Sequence, residues 1–316
     1  MRKITFLSLY VTLLFGAAAS AFAIDFSRFN HLVVFGDSLS DNGNSLVLTQ
    51  GLQPPSPYGN TYDTSGNQRP DTPDTFFPGR WTDGQNWVDY FPLVAPVTKH
   101  FGPITPFFAD PASGTNVAVA GATSADLLNR QIPYYIHARG TLPGDDLYCV
   151  WIGANDFKAP IPPQPQQTAA NILSGITALA KAGAKQFILV DCPDISLTPE
   201  VRATATAQAA KQFVAAVNVL LAVETPLIAW QQQINVTFVD INTIFVPLVL
   251  NPAFFGFSNS MDPALISTNP ISVAKNPNSF VFWDGFHPTT NAHLLAAKFI
   301  YRVASSGFPF SILSSR

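Results

Sequence analysis

Charge is scarce in this sequence. Of its 316 residues only 12% are charged, with 17 cationic side chains against 20 anionic ones. There is no basic run and no stripe of cations interleaved with aromatics, which argues against nucleic acid as a partner. Cysteine is nearly absent. Cys149 and Cys192 alone can build neither a disulfide framework nor a thiolate metal site, and no pair of histidines has ligand spacing, so no metal is expected. The phosphate-cradling glycine loop and the dinucleotide fingerprint are missing, and with them any sign of a cofactor. Also missing is the Gly-x-Ser-x-Gly elbow, which argues against an ordinary α/β-hydrolase. No segment repeats.

One long apolar run does occur, from Ile4 to Ala19. Arg2 and Lys3 precede it, and Ala21-Phe22-Ala23 presents small residues where a signal peptidase reads. Residues 1 to 23 are therefore expected to be a secretory signal peptide cut before Ile24, leaving a secreted or periplasmic protein. A membrane anchor is the alternative, but the run is short for a span of ~20 residues. The chain is 47% hydrophobic, too apolar for disorder and long enough for one large core, so residues 24 to 316 are expected to form a single domain. A monomer is expected. Cys149 falls inside a predicted strand and Cys192 at the end of another, an axial offset of ~10 Å at ~3.3 Å per residue. Bridging needs Cα atoms within ~7 Å, so two buried free thiols are expected.

His31 to Phe35, Val117 to Ala120, Asp146 to Ile152, Phe187 to Val190 and Val236 to Val239 read as short buried strands. Thr168 to Ala182 has helical spacing at Ile172, Ile176 and Leu179 and stops at Gly183. A long amphipathic stretch runs from Pro199 to Gln232, a last helix from Thr289 to Val303, and a weak helix signal covers Leu39 to Leu48. Gln50 to Thr82 is a long loop rich in Pro, Gly, Asn, Asp and Thr, and loops of that length are usually functional or mobile. Strands alternating with helices predict a three-layer α/β/α domain with a central, mostly parallel sheet. In such sheets ligands bind beyond the carboxyl ends of the strands. Ser38, Gly121, Asn155 and Asp191 all fall just past predicted strand ends.

A serine hydroxyl is too weakly acidic to attack at neutral pH without an imidazole to take its proton and a carboxylate to orient that imidazole. Asp284, three residues before His287, can supply orienter and base together. His31 begins a strand, His100 and His137 have no acidic neighbour within three residues, and His293 lies within the last helix. Ser38 follows a strand and the bend permitted by Gly36, so local sequence leaves it open between an exposed nucleophile and a helix N-cap. Asp284 and His287 alone equally fit a capped turn before the last helix. Gly121 alone fits a turn glycine, and Gly153-Ala154-Asn155-Asp156 a type I turn.

Four blocks in order decide among these readings. They are Phe35-Gly36-Asp37-Ser38-Leu39-Ser40-Asp41-Asn42-Gly43-Asn44, Asn116-Val117-Ala118-Val119-Ala120-Gly121-Ala122, Gly153-Ala154-Asn155-Asp156, and Trp283-Asp284-Gly285-Phe286-His287-Pro288-Thr289. Together they resemble the GDSL lipase and esterase family, the SGNH hydrolases. Within it they look most like the branch of secreted bacterial phospholipases, thermolabile haemolysins and glycerophospholipid-cholesterol acyltransferases. The resemblance implies a flavodoxin-like fold, with Ser38 as nucleophile, His287 as base and Asp284 as its orienter. It also implies an oxyanion hole formed by the amides of Ser38 and Gly121 and the side chain of Asn155. Asp156 is expected to brace its loop.

The implied substrate is a lipid ester or other acyl ester, with transient contact at a lipid surface. The implied activity is that of a phospholipase A or lysophospholipase. A sterol acyltransferase and a carbohydrate acetylesterase are the alternatives on the same residues, and a non-enzymatic binding module would require a lost catalytic position. The stretch Phe254 to Phe280 lacks the cysteine pair common in that branch, so acceptor specificity is not carried over. Phe76-Phe77, Phe107-Phe108 and Phe254-Phe255-Gly256-Phe257 are expected to pack as small loop clusters, with an acyl groove or lipid contact as the alternative.

Overall fold

Four strands, β1 (Leu32–Gly36), β2 (Leu147–Trp151), β3 (Gln186–Val190) and β4 (Asn235–Val239), pair in that order and all in parallel. The structure is a computed structural model and describes residues 23–95, 101–102, 104–161, 164–268 and 271–306. All of the expected signal peptide but Ala23 lies outside the described residues, as does His100. β1 and β2 are buried along their whole length, as short apolar runs in a covered parallel sheet should be.

The helices that matter to the site are α1 (Asn44–Leu48), α2 (Trp87–Val94), α3 (Ala154–Lys158), α4 (Pro165–Ala182), α5 (Ala207–Gln232), α6 (Asn242–Leu250) and α7 (Thr290–Ser306). Strand side chains alternate between two cores, as a period of two requires. Phe35, Val150 and Leu189 pack with Ile172 and Ile176 of α4 and Val217 of α5. Val34, Cys149 and Ile188 pack on the other face with Phe91 of α2 and Ile300 of α7. Both cysteines are buried and free.

The strand expected over Val117 to Ala120 does not form as a regular strand, and the pairing there begins two residues earlier. Thr115 to Val119 lies along the outer side of β1, with Val34 N–H donating to Thr115 O, Val117 N–H to Val34 O and Val119 N–H to Gly36 O. Only an isolated bridge is regular, at Val34 and Asn116. The reason is Asn116, whose carboxamide donates to Ser40 O and accepts from Ala118 N–H, so the backbone curls off the sheet. This segment lies on one side of β1 and β2 on the other. The chain order therefore reverses at β1, which makes its carboxyl end the switch point where α/β sheets bind ligands.

Other expectations also shift. Leu39 to Leu48 is helical only from Asn44, because Asp41 accepts from the amides of Gly43, Asn44 and Ser45 and so caps the helix there. The stretch from Pro199 is two helices, Pro199–Arg202 and α5, parted at Thr204, whose hydroxyl bonds back to Val201 O. α5 is less amphipathic than its spacing suggests, since Val219, Val223, Leu227 and Trp230 face outward. Phe254 to Phe280 contains strands the sequence did not suggest. Asn259–Pro263 pairs in parallel with Phe280–Phe282, and Leu265–Thr268 pairs with Ile271–Val273. Phe107 joins the core and Phe257 a satellite cluster, while Phe254 stays exposed.

Candidate active site

Ser38 sits two residues beyond β1. Gly36 is required there because a Cβ would lie 2.6 Å from Trp151 O. The turn closes with Ser40 and Asp41 N–H both donating to Asp37 O. Ser38 caps no helix. Its Oγ lies 2.9 Å from His287 Nε2, and His287 Nδ1 lies 2.7 Å from Asp284 Oδ2. Asp284 Oδ1 accepts from Phe286 N–H at 2.7 Å and His287 N–H at 2.6 Å, so the loop fixes both carboxylate oxygens. Burial alone would raise this carboxyl. The charge and hydrogen bonds of His287, with the Tyr58 hydroxyl, outweigh it and hold Asp284 well below the usual carboxylate range.

Gly121, Asn155 and His287 border the same open cleft as Ser38. Gly121 adopts φ of 76°, a left-handed turn conformation that favours glycine, and its missing side chain would meet nothing within 4 Å. Neither the Ser38 nor the Gly121 N–H has a hydrogen-bond partner among the described residues. Asn155, on α3 just past β2, donates one Nδ2 proton to Ala122 O at 3.1 Å, which leaves the second for the cleft. An oxygen developing negative charge above Ser38 would thus find three unspent donors, an arrangement suited to stabilising a tetrahedral oxyanion. Asp156 faces away and braces Ser124 and Thr168. Asp191 accepts from Ile241 N–H, and burial, before all else, pushes its carboxyl up to about 8.

Sequence reasoning assigned no role to Asp37 or Asp41, though both are buried. Burial pushes Asp37 up to about 7, with the Leu39 amide and His287 partly offsetting it. Asp41 also accepts from Ala120 N–H at 3.0 Å, tying the Ser38 turn to the Gly121 turn. Tyr58 and Trp81, from the long loop, were missed altogether, because nothing in their spacing points at His287. Among the described residues no three His, Cys, Asp or Glu side chains group as a metal site needs.

A second pocket, also lined by Ser38, is almost wholly apolar and is bordered by Ile195, Ile244, Leu248, Val281 and Ala296. His293 borders it too. Its Nδ1 is buried without a partner, and burial, then the charge of His287, lowers it to about 3. An unfolded chain takes up that proton near pH 6.5, so the folded state loses about 1.4 kcal/mol per unit as pH falls from there towards 3. His293→Leu is expected to flatten this decline. Calorimetric melting temperatures between pH 6.5 and 4 should fall less steeply than those of the wild type, and parallel curves would refute it.

The sequence matches the model of the GDSL-like Lipase/Acylhydrolase family over residues 32–300, and the chain belongs to that family. It is a serine hydrolase that acts on esters. It is 25% identical over 285 residues to a thermolabile hemolysin of Vibrio parahaemolyticus, covering 86% of this chain and 63% of the hemolysin, less than two thirds of that relative's length. It is 26% identical over 320 residues to a phosphatidylcholine-sterol acyltransferase of Aeromonas hydrophila, covering 84% of this chain and 87% of the relative. Among solved structures, a carbohydrate acetylesterase from Sinorhizobium meliloti has a TM-score of 0.46 at 12% identity, over 88% of this chain and 100% of that one.

Proposed function

We propose that this protein hydrolyses carboxylic esters of lipids, with the specificity of a phospholipase A or lysophospholipase, through an acyl-enzyme on Ser38. His287 Nε2 takes the Ser38 proton as Oγ bonds to the ester carbonyl carbon. The oxyanion lies among the amides of Ser38 and Gly121 and Nδ2 of Asn155. Collapse breaks the carbon–oxygen bond, and the imidazolium returns the proton to the departing alcohol. Water, deprotonated in turn by His287, then releases the fatty acid. Asp284 keeps the imidazole in the tautomer that presents Nε2 as acceptor. In the same reading residues 1 to 23 are removed as a leader and the remainder works as one secreted or periplasmic domain, a monomer that touches a lipid surface only in passing.

The observation that carries the lipid half of this reading is the apolar pocket also lined by Ser38, which has no use for an acetyl group but suits an alkyl chain. The likeness to a thermolabile hemolysin and to a phosphatidylcholine-sterol acyltransferase agrees with it. Ala296→Phe should shorten the pocket and Leu248→Ala widen it. At ~0.8 kcal/mol per buried methylene, excluding about four of them lowers kcat/KM by about 200-fold. A nitrophenyl ester series should show Ala296→Phe losing that much on long chains and little on short ones, with Leu248→Ala shifted the other way. Profiles parallel to the wild type in both variants would overturn the assignment. So would rapid release of acetate from acetylated carbohydrate with no cleavage of phospholipid.

A further inference from the structure

The loop from Gln50 to Asp83 grips the segment that carries His287 at every level. Tyr58 Oη donates to Asp284 Oδ2 at 2.6 Å, the same oxygen that lies 2.7 Å from His287 Nδ1. The Trp81 ring lies over the imidazole, 5.5 Å between centroids and tilted by 35°. Thr82 Oγ1 donates to Pro288 O at 2.8 Å, and Asp83 Oδ1 accepts from Thr290 N–H at 2.7 Å at the start of α7. Tyr58 itself is wedged against Trp81 and Trp283.

We propose that Tyr58 is a positioning residue for the base: by donating to the oxygen that His287 uses, it sets how strongly Asp284 holds the imidazolium. The proposal rests on the reading of His287 as general base. A hydroxyl donating to Asp284 Oδ2 draws charge from that oxygen, so the carboxylate attracts the imidazolium less than it would with His287 as its only ring partner. Tyr58 can only donate here. Burial, and then the Asp284 charge, push its phenol far above the ordinary range.

Other charges face the same spot and do not carry this effect. Asp37 approaches from the Ser38 turn and His293 from α7. Lys158 of α3 sits 4.1 Å from the Phe286 ring and 2.9 Å from Glu200, whose backbone N–H donates to Gly285 O. None of these touches Asp284 Oδ2, whereas Tyr58 does. Replacing the hydroxyl alone therefore isolates its contribution.

The test is the pH profile of kcat/KM for a short-chain nitrophenyl ester. Tyr58→Phe keeps the ring and loses the donor. Its plateau should fall ~3- to 10-fold, the size of one ordinary hydrogen bond. Its acid limb should also move to higher pH by about 0.5 to 1 unit. A merely structural role lowers the plateau and leaves the limb in place, and that result would overturn the proposal. Incorporating 3,5-difluorotyrosine at position 58 strengthens the donor without disturbing packing and should move the limb the other way; the same displacement as Tyr58→Phe, or none, also overturns it. Ser38→Ala measured alongside separates the two readings. Full activity there would sink the base assignment itself, while an inactive Ser38→Ala with an unmoved Tyr58→Phe limb would sink only the role of Tyr58.

Discussion

Ser38→Ala is expected to reduce turnover of a short-chain nitrophenyl ester by roughly 10⁴- to 10⁶-fold, as loss of a nucleophile does in well-studied serine hydrolases. The substitution removes one oxygen from a residue that is 7% exposed, and that oxygen's recorded partner is His287 Nε2. No backbone bond of the turn depends on it, since Ser40 and Asp41 close on Asp37 O. Stability should therefore change little while turnover collapses. The three proposed oxyanion donors would remain and could still polarise an ester, but no acyl-enzyme can form. A fluorophosphonate should label the wild type and not the variant. Residual activity above about a thousandth of wild type would remove Ser38 from the mechanism.

Asp284→Asn is expected to lower kcat by about 10⁴-fold although its shape hardly changes. Each oxygen of Asp284 faces two donors. Oδ1 receives the amides of Phe286 and His287, and Oδ2 receives Tyr58 Oη and the His287 ring. An asparagine has one oxygen for four donors, so its NH2 must confront one pair. Turned towards the backbone amides, it unpicks the loop that aims His287. Turned towards the ring, it forces Nδ1 to accept, which puts the proton on Nε2 and leaves no base for Ser38. Either way the variant should fold with a lower kcat and a KM little changed, as steady-state kinetics would show. A kcat above about a hundredth of wild type would mean that Asp284 does not orient the base.

What the sequence made legible follows from how local each signal is. β1 and β2 are short runs buried on both faces and β3 is buried along all but its first residue, so hydrophobicity marks them, while β4 is marked by Val236, Phe238 and Val239 although it is only partly covered. Ser38, Gly121 and Asn155 were legible as residues just past strand ends and His287 through Asp284 three residues before it, and the fold gathers these four at one cleft, whereas Asp191, read the same way, does not border it. Thr115 to Val119 was misplaced because a side chain, Asn116, decides where the strand lets go. Tyr58 was invisible because its partner, Asp284, lies 226 residues away and no periodicity links a loop tyrosine to a distant carboxylate. The pairing of Asn259–Pro263 with Phe280–Phe282 was invisible for the same reason, since Pro and Asp within the first strand hide its character.

The hydroxyl of Ser38 and the imidazole of His287 are separated by 249 residues of chain, and α7 is held at its start by Asp83, 207 residues before Thr290. Such contacts form late, because long loops must close before they are rewarded. During synthesis the Ser38 turn is made long before the segment carrying His287, which follows all four strands of the sheet in the chain. A growing chain therefore carries the Ser38 turn before it carries the imidazole set against it, and a product truncated before Asp284 is expected to be inert. Reactivity toward esters is then delayed until the segment with Asp284 and His287 has been made.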